Sequence, residues 1–326
     1  MRLKLNLRLF DDVTNVTTQS SLSVEMKTYY DKELIRLAGP HLVHDQFAQQ
    51  RDIPKNEGKT IQFRKYAPLP KALTPLTEGV TPDGQALSAS QITATVAQYG
   101  GFIRLSDMLI LTAIDNNLLE ALEEIGDQAG RTLDTITREV LMGGTNVQYG
   151  EGTKSARSAL DATDKLTVVA IKKAVRTLKR KNAPKIGDAY VGIIHPDVTF
   201  DLTEDTRWIE AHKYCRPDEL YTGEIGKIAG VRFVETSEAK IFAGAGASSR
   251  DVYATMILGK NAYGTTKVTG GGLQTIVKQL GSGGTADPLN QRATVGWKAV
   301  KTAARLVEEY MVRIETCSDV NEGVAN

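Results

Sequence analysis

The chain has 326 residues, enough to bury a substantial core as one large domain or two smaller ones. Its 40 Lys and Arg stand against 39 Asp and Glu, a formal net charge of +1, which argues against a protein whose main task is to grip nucleic acid through a basic excess but leaves local contact open. No run approaches the roughly eighteen apolar residues of a membrane span, and residues 1–10 interleave charge with leucine where a secretory signal would be unbroken, so a soluble chain made in the cytoplasm is expected.

In chain order, residues 1–22 read as an arm. Leu3, Leu5, Leu7 and Leu9 alternate with Arg2, Lys4, Asn6 and Arg8, the period of a half-buried strand, and a polar stretch from Thr14 to Ser21 tethers it. Such a strand docks either on another subunit or on an edge of the chain's own sheet. A short helix follows from about Val24 to Leu37, with Met26, Tyr30, Leu34 and Leu37 on one face and Gly39-Pro40 as its stop.

Two strands are expected next, around Ile61 and Phe63 and around Ile92, Ala94 and Val96. Between them Pro68, Pro70, Pro75 and Pro82, with Gly79 and Gly84, erase any helical or strand period. Loops this long are uncommon inside compact domains and tend to be functional or disordered. The prolines stiffen the segment and lower the entropy lost on docking, so we read it as a projecting two-stranded arm that lies on a neighbouring molecule, against the alternative of a disordered surface loop. It returns through Gly100 to Leu105 into Ser106, a cap for a helical segment from Asp107 to Ile114.

The longest helical pattern runs from Asp115 to Gly144. Leu118, Leu122, Ile125, Ala129, Leu133, Ile136 and Val140 form one apolar stripe, while Glu120, Glu123, Glu124, Asp127, Arg131, Asp134, Arg138 and Glu139 are expected largely on a wet face. Asp115 to Asn117 are capping candidates, Glu120 completes a capping box with Asn117, and Gly143-Gly144 end the helix, which would be about 40 Å long.

A polar connection, Thr145 to Asp161, leads to a second helix, Lys165 to Lys181, striped by Leu166, Ala170, Ala174 and Leu178. Arg176, Lys179, Arg180 and Lys181 crowd its last turns; they either complement the helix C-terminus, the preferred reading, or mark a basic patch for nucleic acid. Buried strands are expected at Tyr190 to Ile194 and Val252 to Leu258, an extended segment at Val231 to Val234, and helices at Asp197 to Asp205 and Trp208 to Tyr214. Gly226 and Gly230 bracket a tight turn. Leu273 to Lys278 reads as a strand, Gly281 to Gly284 as a flexible link, and Arg292 to Thr316 as strands returning to pair beside the long helix.

Catalytic constellations are missing from the sequence. His41 and His44 are spaced i,i+3 with Asp45 beside them, short of a metal ligand set; there is no GxSxG, HExxH or CxxC, and the glycine runs lack the Lys-Ser/Thr of a phosphate loop. Asp197, Asp201, Glu204 and Asp205 read as wet-helix carboxylates, and Cys215 and Cys317 as unpaired thiols. No catalytic, cofactor or metal residue is assigned, which favours an assembly protein over an enzyme.

The order of these parts carries a resemblance. Leu5-Asn-Leu-Arg-Leu-Phe10, a helix, a proline-rich loop between two strands, a long helix, an α/β unit containing Gly230-Val-Arg-Phe-Val-Glu235, then Val295-Gly-Trp-Lys298 and Ala303-Ala-Arg-Leu306 together resemble a tailed-bacteriophage major capsid protein, most nearly the subgroup named after the coat protein of phage N4. The resemblance implies an α+β fold of the Hong Kong ninety-seven type. In its terms residues 1–58 hold the N-terminal arm and first helix, 59–105 the extended loop, 106–161 the peripheral domain with its spine helix, 162–258 the axial domain, and 259–326 strands returning to the peripheral domain. It implies hexamers and pentamers in an icosahedral virion shell around double-stranded DNA held by weak, non-specific contact. The shell would assemble in the host cytoplasm with portal and scaffolding proteins, decoration proteins being left open, and without membrane or cofactor. The arm is too short for a large scaffolding segment, so scaffold is expected as a separate protein. Some relatives crosslink a Lys to an Asn; Lys71 lies in the loop, but no motif marks an Asn partner. Expected intersubunit contacts are Leu5, Leu7, Leu9 and Phe10 from the arm and Arg64, Lys71, Glu78, Asp83 and Arg104 around the loop. The alternatives are an encapsulin-like compartment and, of a different class, a soluble oligomeric enzyme.

Overall fold

The computed structural model describes residues 32–52, 59–66, 69–76, 78–81, 83–112, 117–212, 226–267, 273–282, 287–320 and 326. The N-terminal arm, with Leu5, Leu7, Leu9 and Phe10, and the start of the first helix lie outside the described residues, as does Cys215. Residues 32–38 are helical (α1) and run into a 3-10 turn at Gly39–His41, where glycine and proline were expected to stop the helix.

The chain then forms β1 (Gln49–Arg51), β2 (Thr60–Tyr66), β3 (Ala89–Thr95), β4 (Ala97–Ser106), α2 (Asp107–Thr112) and α3 (Asn117–Met142). The Ser106 hydroxyl accepts from the Leu109 amide at 3.2 Å, capping α2 as its position predicts. After β5 (Val147–Tyr149) come α4 (Val168–Arg180), β6 (Tyr190–Ile194), α5 (Pro196–Thr203), α6 (Thr206–His212), β7 (Lys227–Ile228), β8 (Val231–Glu235) and β9 (Ile241–Phe242). The chain closes with β10 (Val252–Leu258), β11 (Tyr263–Thr266), β12 (Leu273–Lys278), β13 (Arg292–Lys301), β14 (Ala303–Arg305) and β15 (Met311–Thr316).

The long helix lies on a three-stranded antiparallel sheet ordered β12-β13-β4. Leu122, Ile125, Ala129 and Leu133 are buried against Leu273, Val295, Trp297 and Ala299, with Leu34 and Ala38 of α1 closing the other side. From Leu122 to Leu133 the stripe is therefore covered by the chain's own strands and by α1, while the side chain of Leu118 lies outside the described residues. Two helical glycines make room for α1: a Cβ at Gly126 would meet Leu37 at 2.7 Å, and one at Gly130 the Ala38 carbonyl at 2.7 Å. Trp297 pairs across the sheet with Gly101, and its indole nitrogen donates to Gln128 Oε1 of α3 at 3.0 Å in the space that a side chain at 101 would fill.

The second core surrounds a seven-stranded sheet ordered β5-β15-β10-β6-β8-β7, with β9 on β10. All of β6, β10 and β15 is buried. On α4 the buried residues Val168, Ala170, Ile171, Ala174, Val175 and Leu178 pack with Tyr190, Ile194, Val231 and Ile257. Thr167 accepts from the Ala170 amide at 3.2 Å to start the helix, and Asn182, at φ 53°, ends it. The tight turn expected over Lys227-Ile-Ala between Gly226 and Gly230 falls later: Lys227–Ile228 is β7, and Ala229 and Gly230, at φ 50° and 84°, make the two-residue turn into β8.

Several expectations change. Of the C-terminal strands β13 and the short β14 lie beside the long helix, Arg305 of β14 donating to the Val140 carbonyl of α3 at 2.9 Å, whereas β15, buried along its whole length, pairs with β10 over six residues. The polar connection after α3 contributes β5, parallel to β15. Asp134 and Arg138 of α3, expected on the wet face, are buried, since the C-terminal half of the helix is enclosed on more than one side. Nor are the carboxylates of α5 simply solvated. Asp201 is buried, 3.5 Å from Lys165, and Asp197 Oδ2 accepts from the Tyr253 hydroxyl at 2.8 Å. Asp205 accepts from the Val168 amide at 2.8 Å and the Arg207 amide at 2.9 Å, satisfying two helix N-termini at once.

Candidate assembly surface

The hairpin β2-β3 is an antiparallel pair running in register from Thr60 opposite Thr95 to Tyr66 opposite Ala89. Its alternation roots it at one end only. Ile61, Phe63 and Ala94 are buried with Leu306 and Val307, and Phe63 lies so close over Gly264 of β11 that a Cβ there would overlap the ring. From Arg64 onward β2 is exposed.

Beyond Tyr66 the described residues of the loop are all exposed and form no regular element. They carry Leu69 at 53% relative exposure, Leu73 at 81%, Leu76 at 77%, Val80 at 63% and Leu87 at 64%. Single exposed leucines are ordinary, but four leucines and a valine along one projecting segment form an apolar surface that remains exposed among the described residues. Full burial of such a side chain yields about 1.5–3 kcal/mol, so covering several of them offsets part of the cost of ordering the segment against a partner.

The face of β12-β13-β4 turned away from α3 holds an open groove of about 690 Å³, lined by Phe102, Arg104, Ile276, Lys278 and Arg292 among others. The Arg104 guanidinium stands 5.2 Å from the Phe102 ring centroid, stacked as cations are on aromatic faces. The expected contact residues are distributed over this region. Arg64 is on β2, Lys71, Glu78 and Asp83 are in the projecting segment, and Arg104 is on β4; all five are exposed, and none forms an ion pair among the described residues.

A buried polar junction, not anticipated from the sequence, lies between α3 and the segment that follows α1. His44 receives Asp134 twice, its amide donating to Oδ1 at 2.7 Å and its Nδ1 lying 2.6 Å from Oδ2. Asp45 is bound by the Lys301 ammonium on Oδ2 and by the Thr137 hydroxyl at 2.6 Å on Oδ1. Tyr263 donates its hydroxyl to the His44 carbonyl. Burial, and then the charges of Asp45 and Asp134, push the Tyr263 phenol well above its ordinary range, so it remains a donor. This network joins α3, the segment after α1, the end of β13 and β11. Its one sequence signal is that Asp134 and Thr137 lie an i,i+3 step apart with Leu141 four residues further on, a second stripe beside the first.

A second charged anchor holds the connection after α3. Arg157 grips Glu315 of β15 with two bonds of 2.7 Å and lies 3.4 Å from the Phe242 ring centroid. Cys317 is buried and free, its thiol pushed up to about 11 by burial and then by Asp164, so it is inert at neutral pH. Among the described residues no group of three or more His, Cys, Asp or Glu is placed to hold a metal, and no helix is long and apolar enough to cross a membrane.

The described residues thus form a long helix on a sheet, an α/β lobe, and a rooted hairpin with an exposed apolar tip. The chain belongs to the phage capsid protein family, whose model matches residues 89–313. Solved structures agree on the fold. The capsid protein of Ralstonia phage GP4 matches with a TM-score of 0.66 at 14% identity, covering 84% of this chain and 88% of that one. The capsid protein of cyanophage Pam1 matches at 0.66 and 15% identity, over 87% and 93%. That of cyanophage P-SCSP1u matches at 0.63 and 14%, over 84% and 87%. The fold is the α+β Hong Kong ninety-seven type. Comparison with curated protein sequences finds no match.

Proposed function

We propose that the chain is the major coat subunit of a tailed-phage head, forming hexamers and pentamers of an icosahedral shell that encloses double-stranded DNA. The observation that carries this is the projecting segment with Leu69, Leu73, Leu76, Val80 and Leu87 exposed, an apolar surface of the kind a neighbouring copy covers. Its partners are other copies of itself, the portal and scaffolding proteins, and the DNA; assembly takes place in the host cytoplasm and the product is a virion component. The role is structural, without catalysis. In this reading residues 59–105 are the extended loop, 106–161 with α3 the peripheral domain, and 162–258 the axial domain, to whose sheet β5 and β15 are lent from outside those bounds. Leu5, Leu7, Leu9, Phe10, Arg64, Lys71, Glu78, Asp83 and Arg104 are proposed at subunit contacts.

The register of the hairpin gives a clean test. Tyr66 and Ala89 are its last pair, so residues 67–88 can be replaced by Asn-Gly, which closes two antiparallel strands in a primed turn. The expected product is a folded subunit, with unchanged thermal midpoint, that forms no closed particles in negative-stain micrographs. Normal shells from this variant would refute the role of the loop. Co-purified DNA marks a virion shell, whereas a protein cargo marks an encapsulin-like compartment and a small closed oligomer marks a soluble enzyme.

A further inference from the structure

We propose that the outward face of α4 is a binding site for the phosphate backbone of double-stranded DNA. The assignment rests on the coat-subunit reading for the source of the DNA but on α4 alone for the site.

Helix α4 carries Lys172, Lys173, Arg176, Lys179 and Arg180 and not one carboxylate. At 100° per residue these five fall on one arc opposite the buried side formed by Ala170, Ile171, Ala174 and Leu178. All five are exposed, and only Val169 shares their face as a large apolar residue. Lys181 and Lys185, also exposed, continue the array past the helix end. In a chain of net charge +1 this is a local concentration of one sign.

The helix dipole accounts for the last turn only, because its effect fades within one turn. Lys172, Lys173 and Arg176 lie upstream of that turn. Worse for the isolated helix, Lys172 and Arg176, and Arg176 and Arg180, are like charges at i,i+4, an arrangement that destabilises a helix. Neighbouring elements do little to relieve it. Lys173 reaches the Glu151 carbonyl at 2.6 Å and its carboxylate at 3.8 Å, and Lys181 reaches Glu309 at 2.8 Å. Lys172, Arg176, Lys179 and Arg180 form no ion pair among the described residues. These four cations, unpaired among the described residues, are the groups that an external polyanion would meet.

Geometry and composition favour DNA over an acidic protein. From Lys172 to Arg180 the helix rises about 12 Å, which spans three or four phosphates on one strand at about 3.4 Å per charge. Protein interfaces are depleted of charge at their centres and enriched in aromatics, and this face has no aromatic residue. Non-specific phosphate binding needs only the charges.

The test is binding of a labelled duplex of about 25 base pairs to the full chain across a salt series. Each phosphate contact contributes about −0.9 to the slope of log affinity against log salt. A variant with Lys172→Gln, Arg176→Gln, Lys179→Gln and Arg180→Gln should lose about 3 to 4 of that slope and bind at least about tenfold more weakly at low salt. Glutamine is a good helix former, so the thermal midpoint should hold; if that variant does not fold, Arg176→Gln alone should lose about 0.9 of the slope. An unchanged slope in the folded variant, no binding by the unaltered chain, or stronger competition by poly-glutamate than by unlabelled duplex would overturn the site. Particles in micrographs keep the two readings apart: shells with an unaltered slope sink the DNA site and leave the coat function standing, whereas failure of the unaltered chain to form shells sinks the coat function.

Discussion

Lys301 has no exposed side-chain surface, and its ammonium meets a single carboxylate, Asp45, whose second oxygen is held by Thr137. A buried pair of this kind is weak evidence for net stabilisation, yet breaking it is expensive because the remaining charge is stranded. Asp45→Ala should therefore destabilise the subunit by about 3–5 kcal/mol, while Asp45→Leu combined with Lys301→Met should recover much of the loss, both read from denaturant midpoints. A surface residue gives a contrasting expectation. The Asp161 carboxyl is held down to about 2, from 3.8, first by the Thr163 hydroxyl, then by its amide and by Lys154. The depressed value means that its contribution is complete above pH 3.8 and disappears as pH falls toward 2. Being exposed, it should act locally. Protease nicking of the 150–164 segment should rise in Asp161→Asn at neutral pH and match the unaltered chain near pH 2. The residue types of these groups are plain in the sequence; their partners are not, since Lys301 and Asp45 are separated by 256 positions. For the same reason Asp134 reads as one more carboxylate on a wet face until the segment after α1 is folded over it.

At the scale of elements, periodicity was a sound guide wherever one face met one core. The stripes of α3 and α4, the alternation of β2 and β3 and the apolar runs of β6 and β10 all lie where their spacing places them. It failed where a run is buried on every side, because such a run does not say which sheet it joins: β15 goes to the seven-stranded sheet and β13, fifteen residues or so earlier, to the sheet under α3. The projecting hairpin depends on its root. Gly264 lies under Phe63, so Gly264→Ala forces the ring away and should loosen the hairpin. Faster amide exchange in residues 60–66 and 89–95, with the seven-stranded sheet unaffected, is the expected result; uniform exchange rates would show that the root is not the anchor.

At the scale of the whole molecule, the exposed apolar tip carried on a proline-rich segment outside both cores is the surface that the proposed coat function assigns to contact with other copies of the chain. The proposed assembly surface and the proposed DNA site occupy different parts of the subunit, the hairpin tip and the outer face of α4, so variants of one should leave the other intact. Element order, the long helix, the proline-rich projection and hence the capsid resemblance can be read from the residues alone, because they depend on local periodicity and on turn residues. How β5 and β15 join the α/β lobe, and how Asp45, Asp134, His44 and Lys301 meet, emerges with the folded chain. Those contacts are made between distant segments, and no local pattern records which buried strand or charge will find which partner.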